Sequence, residues 1–102
     1  MNLDKFTQKA QEAILRAQNL AGELNHQLIE PAHLLMSLLV QSDGVVPALV
    51  TRISGSPAGL IYDVQKDLDS RPKISGPGSG DVSLSRPTAD ILTAAERFAR
   101  GM

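Results

Sequence analysis

Apolar residues recur at helical spacing along most of this chain. Ala10, Ala13, Ile14, Ala17, Leu20, Ala21 and Leu24 follow an i, i+3, i+4, i+7 pattern, with Gln8, Lys9, Glu12, Arg16 and Glu23 on the other side. The pattern predicts a helix over Gln8 to Leu24 with Thr7 as its N-cap, a hydroxyl worth about 1 kcal/mol when it accepts from a first-turn N–H. A loop through His26 and Gln27 leads to a second helix over Pro31 to Gln41, where Leu34, Leu35, Leu38 and Leu39 mark a nearly fully buried face. Proline suits the first turn because its missing N–H has no intrahelical acceptor there. Ser42-Asp43-Gly44 reads as a turn, followed by a short third helix over Pro47 to Ile53. Ser54-Gly55-Ser56-Pro57 ends it and opens a fourth, with Leu60, Ile61, Val64 and Leu68 inward. A fifth starts after Ser85, with Pro87 in its first turn and Ile91, Leu92, Ala95, Phe98 and Ala99 on one side.

The first and fifth helices share a frame. Phe6-Thr7, Ala10, Ala13-Ile14, Ala17 and Leu20-Ala21 correspond, seventy-eight positions on, to Leu84-Ser85, Thr88, Ile91-Leu92, Ala95 and Phe98-Ala99. A repeated unit with one apolar face predicts a stacked domain in which neither copy is complete alone. The first copy continues into LIEPAHLLMSLL, whereas the second stops at Met102. The expected organisation is a first repeat over 1–71, a Gly/Pro/Ser-rich connector over 72–83, and the first helix of a truncated second repeat over 84–102. The fold class is all-α: a helical bundle of two pseudo-repeats, the first with about four helices and the second represented by one.

Composition supports this class. Of the 102 residues 42% are hydrophobic but 3% are aromatic, and small aliphatic residues suit closely packed helices better than a β-sandwich. Net charge is −1, with ten basic and eleven acidic residues interspersed. Without a basic stripe there is no footprint for nucleic acid or an anionic membrane. There is no cysteine, which excludes disulfides and thiolate chemistry. The N-terminus has no signal-peptide apolar core, and the longest apolar stretch, Ala32 to Val40, is too short to span a bilayer. The expectation is a soluble, cytoplasmic domain.

Candidate chemistry is sparse. His26, Glu30 and His33 are zinc-type ligands, and a small metal-dependent hydrolase is one conceivable reading. Their spacing puts one in a loop and two in a helix's first turn with no outer support, so His33 is expected to pack or hydrogen-bond at the helix start. Gly76-Pro77-Gly78-Ser79-Gly80 lacks the Lys-Ser/Thr of a phosphate loop and reads as linker. Thr7 and Ser85 sit where caps belong, with no base nearby. No enzyme, metal or cofactor is expected in this chain. What remains is apolar surface on the fifth helix, part of it left for a partner.

MNLDKFTQKAQEAI, LIEPAHLLMSLLVQSDG and LDSRPKISG, followed by a second Leu-Ser helix, together resemble the N-terminal Clp-repeat domain of the ClpB-type AAA+ disaggregases. The resemblance covers the chain in order, and the Ile29–Leu39 segment is its most specific part. Two departures stand out: Glu30 is a poorer N-cap than the family often has before that proline, and family domains run on for roughly another forty residues, so the chain looks like a fragment. Walker motifs, arginine finger and coiled-coil middle domain are absent from it; ATP and Mg belong to the presumed parent. The resemblance implies a domain that caps a hexameric ring and captures exposed apolar segments of unfolded or aggregated polypeptide for threading, in cooperation with a DnaK-type system. It carries the substrate contacts over to Thr7, Leu92 and Phe98, with Ala94 doubtful because relatives can have a larger apolar residue there. The rival reading is adaptor docking, as in protease-partnered Clp unfoldases, through rim charges such as Lys9, Glu12 and Arg16.

Overall fold

The computed structural model describes residues 6–42, 44–74 and 82–100, except for the side chains of 98–100. Among them are five helices: α1 (Gln8–Glu23), α2 (Pro31–Leu39), α3 (Val45–Ser54), α4 (Ala58–Ser70) and α5 (Arg86–Arg100). A pair of two-residue strands, β1 (Leu28–Ile29) and β2 (Ser83–Leu84), completes the set. The chain is all-α in class, as its patterning implies.

α1 starts where the sequence places it. The Thr7 hydroxyl accepts from the Ala10 N–H at 3.2 Å, supplying one of the acceptors a first turn lacks. Ala13, Ile14, Ala17 and Ala21 form its buried stripe. Ala at these stations lets neighbouring backbones approach closely. The helix ends at Leu24, and Asn25 turns the chain with φ 60°, a left-handed conformation that asparagine tolerates. His26 N–H then donates to the Ala21 carbonyl at 2.9 Å.

β1 and β2 were not expected from the sequence. They run parallel, Leu28 opposite Ser83 and Ile29 opposite Leu84. Ser83 N–H donates to Gln27 O at 3.3 Å and Ser85 N–H to Ile29 O at 3.1 Å. Two residues carry too little alternation to signal a strand. The pair nevertheless fixes α5, because β2 enters it directly, against the turn that joins α1 to α2.

Two clusters form the core. Met36, Leu39, Val64 and Leu68 join α2 to α4, with Leu20, Leu24, Val46, Val50 and Ile61 packed around them. Ala17, Ala21 and Ile29 form the second, with Leu34, Val82 and Leu84 against it. The buried face of α2 differs from the expected leucine face. His33, Met36, Ser37 and Leu39 are buried, Leu34 and Leu38 are half-buried, and Leu35 is exposed. Two polar groups can take core positions because both are hydrogen-bonded: Ser37 donates to His33 O at 2.9 Å, and the His33 ring is held on both sides. Leu60 likewise faces outward, whereas Val64 and Leu68 are inward as expected.

α3 begins at Val45, two residues before Pro47, which still lies in a first turn where its missing N–H costs nothing. Gly55, at φ 86°, ends the helix in the left-handed conformation that glycine adopts without strain. The Ser56 hydroxyl accepts from Ala58 N–H at 3.1 Å and so opens α4, as the Ser-Pro signal suggested. Val45, Leu49 and Ile53 recur at i, i+4, i+8 along the outer side of α3 and are all more than half exposed. The glycine-rich stretch 76–80 lies outside the described residues.

Candidate functional site

Thr7 is exposed and already engaged as the α1 cap. Its oxygen accepts from Ala10, which leaves its proton free to donate. Leu92 is 7% exposed and therefore mostly core. The Phe98 side chain lies outside the described residues. Thr7 and Leu92 are linked through Phe6, which sequence reasoning did not single out as a contact residue: Phe6, Leu84, Ala89, Leu92, Thr93 and Glu96 line one cleft of about 110 Å³. Its lining is mostly apolar, with Thr93 and Glu96 as the polar members. Beside it on α5, Ile91 is 45% exposed, and Ala94 and Ala95 are exposed too.

The entry of α5 explains why this edge is well placed. Ser85 and Thr88 are buried, with their hydroxyl oxygens 2.9 Å apart, and Ser85 Oγ accepts from Thr88 N–H at 3.3 Å. The helix therefore rests on Ser85, Thr88 and Leu92, a line rotated from the expected apolar face. That rotation turns Ile91 and Ala95 outward.

A larger cleft of about 520 Å³ lies elsewhere, between α1 and α2. Glu12, Leu15, Arg16, Leu20, Met36 and Val40 are among its walls. Leu15 is 48% and Val40 44% exposed, so charge and apolar surface alternate along it. Lys9 reaches across the same two elements, donating to Ser42 O at 3.1 Å, while Gln41 donates back to Lys9 O at 2.8 Å.

His26 and His33 hydrogen-bond directly to each other. His26 Nδ1 and His33 Nε2 are 2.7 Å apart, and the Glu30 N–H donates to His33 Nδ1 at 2.8 Å. Glu30 and His33 form a reciprocal capping box at the start of α2, and the Glu30 carboxylate lies 3.6 Å from Arg71. The weak N-cap is thus compensated by the histidine three residues on. Both imidazoles are held below the ordinary histidine range. For His26 the causes are burial first, then the nearby Lys73 and Arg71 charges, against the opposing Leu68 carbonyl and Asp69. For His33 they are burial, His26 and Arg71, against Glu30. Among the described residues no cluster of three or more His, Asp or Glu could hold a metal ion, and no helix is long and apolar enough to cross a membrane.

Comparison with known proteins places this architecture. The chain is 36% identical over 102 residues to the chaperone protein ClpB of Nitratidesulfovibrio vulgaris, covering 98% of the chain. It is 41% identical over 100 residues to that of Pseudomonas putida, again over 98% of the chain, and 32% identical to that of Mesorhizobium japonicum. It spans 12% of the length of the first two relatives. The family described as the Clp repeat (R) N-terminal domain matches residues 5–102. With that match and these relatives spanning nearly its whole length, the chain belongs to the Clp repeat N-terminal domain family.

Proposed function

We propose that this chain is the client-binding N-terminal domain of a ClpB-type chaperone, gathering exposed apolar segments of unfolded polypeptide for an ATPase ring to thread. The observation that carries this reading is the apolar cleft of Phe6, Leu84 and Leu92, whose lining residues are next in sequence to the exposed Thr7 and Ile91. An unfolded client offers apolar side chains in no fixed order. A small apolar cleft with one hydroxyl, Thr93, and one carboxylate, Glu96, in its lining accepts them without demanding a sequence. Such contacts are weak, since ordering the client opposes them. The equivalent hydroxyl caps at Thr7 and Ser85 support reading 1–71 and 84–102 as two halves of one repeat, joined by 72–83. The hexameric ring, ATP with Mg, and cooperation with a DnaK-type system belong to the same proposal.

The test is binding of an unfolded model polypeptide to the wild type and to Ile91→Ser, whose side chain is half outside the core. Loss of binding by a chain that stays folded, with a stability loss of only about 1 kcal/mol, is the expected result. Undiminished binding by a folded Ile91→Ser chain refutes the cleft. Adaptor docking is a second reading, favoured by the alternation of Glu12, Arg16, Leu15 and Val40 in the larger cleft. Docking there weakens with added salt, whereas apolar capture does not.

A further inference from the structure

The histidine pair has one proton arrangement that satisfies the geometry. Because the Glu30 N–H points at His33 Nδ1, that nitrogen carries a lone pair, and neutral His33 is protonated on Nε2. Its Nε2–H then donates to His26 Nδ1, which leaves neutral His26 protonated on Nε2. That last nitrogen is buried and makes no well-formed hydrogen bond among the described residues, the Leu68 carbonyl being the acceptor nearby. The chain Glu30 N–H, His33, His26 is therefore complete when both rings are neutral.

An added proton has nowhere to go without breaking it. On His26 Nδ1 it would face the His33 Nε2–H across 2.7 Å; on His33 Nδ1 it would face the Glu30 N–H across 2.8 Å. Either way two N–H groups meet head to head inside the protein, His26 being 3% and His33 0% exposed.

The surroundings determine what yields. The charged groups facing the pair are Glu30 ahead of α2, Asp69 in α4, and Arg71 and Lys73 just after α4. Glu30 and Arg71 already pair with each other, and Arg71 also donates to Asp67 at 2.9 Å. A new cation is thus driven against Arg71 and Lys73. A short backbone bond, Ile74 N–H to Asn25 O at 2.7 Å, ties that segment to the α1–β1 turn.

We propose that the His26–His33 hydrogen-bond chain is a proton-sensitive latch: neutral, it holds residues 71–74 against the turn after α1; protonated, it releases them. The 71–74 segment leads into the connector and on to β2, so release at this joint loosens the tie between α1–α4 and α5. The latch does not depend on what the domain binds.

The test uses the whole unmodified chain. Two-bond ¹⁵N–¹H spectra at pH 7.5 are expected to show both imidazoles protonated on Nε2, with midpoints below 6.5 on acid titration. The sign follows from linkage: groups whose folded pKa is depressed contribute their full stability above about pH 6.5, and it is lost as pH falls from there toward the folded values. Between pH 6.5 and 5.5 each histidine raises the opening constant by at most about fivefold. Hydrogen-exchange protection of the Ile74 amide, corrected for intrinsic exchange, is therefore expected to fall over that interval, while mid-α1 amides change less. His26→Gln keeps an acceptor for His33 Nε2–H and removes one site, and is expected to flatten this dependence. Midpoints at or above 6.5, an Ile74 amide indifferent to pH, or a folded His26→Gln with the full wild-type slope each overturn the latch. If His26→Gln does not fold, the wild-type titration and exchange decide alone.

Discussion

Leu92 and Ile91 are neighbours in sequence with opposite environments, and truncating each to alanine separates stability from binding. Leu92 is 7% exposed and Ile91 45%. Leu92→Ala removes three buried carbons, at about 0.8 kcal/mol each roughly 2.4 kcal/mol of transfer energy. The cavity contribution is small because the side chain already borders a cleft open to solvent, so the total falls at the low end of the usual Leu→Ala range, about 2–3 kcal/mol. Ile91→Ala loses roughly half as much buried surface, about 1 kcal/mol. For a domain with only about 5–15 kcal/mol of stability to lose, the first is a serious change and the second is not. Urea unfolding followed by circular dichroism measures both, with the slope checked for constancy so that midpoints convert to free energies. Client binding should rank the other way once compared among folded molecules: Ile91→Ala weakens it, whereas Leu92→Ala acts chiefly by depleting the fold. Equal stability losses, or a loss below about 1 kcal/mol for Leu92→Ala, would refute the burial argument and with it the rotated seating of α5.

Thr7→Ala is expected to cost about 1 kcal/mol through the lost cap, and Thr7→Ser to restore it, by thermal or urea unfolding. A Thr7→Ala chain as stable as wild type removes the cap assignment. Replacing Val45, Leu49 and Ile53 together by Ser, Gln and Thr should leave stability within about 1 kcal/mol, since these side chains lie mostly in solvent; a larger loss would show that α3 packs more closely than its exposure indicates. Arg71→Ala should change stability by less than about 1 kcal/mol, because its ion pairs are partly exposed, and a larger effect would make the 71–74 segment a stronger anchor than the latch requires.

Much of the fold was legible from the chain because periodicity and caps agree. Thr7, Pro31 and the Ala13–Ala17–Ala21 stripe place α1 and α2 within a residue or two. What escaped depends on contacts distant in sequence. Leu28–Ile29 and Ser83–Leu84 carry no strand pattern, and their pairing exists because β2 returns beside the α1–α2 turn. Leu35 was expected inside and is exposed, whereas His33, expected to pack or hydrogen-bond at the helix start, is fully buried with hydrogen bonds on both ring nitrogens. Of the carried-over residues, Leu92 lines a cleft together with Phe6, the residue before Thr7, and the place of Phe6 there depends on how α5 docks. A hydrophobic residue just ahead of an N-cap was the available signal, since that position often folds back onto its own helix or a neighbour.

The central claim is that the end of the molecule around Phe6, Thr7 and α5 receives unfolded polypeptide. An NMR titration of the chain with an unfolded model polypeptide tests it most directly. The expected result is shifts concentrated at Phe6, Thr7, Ile91 and Leu92, saturating weakly and insensitive to salt. Shifts centred instead on Glu12, Leu15, Arg16 and Val40, or a well-dispersed spectrum that the polypeptide leaves unchanged, would contradict it.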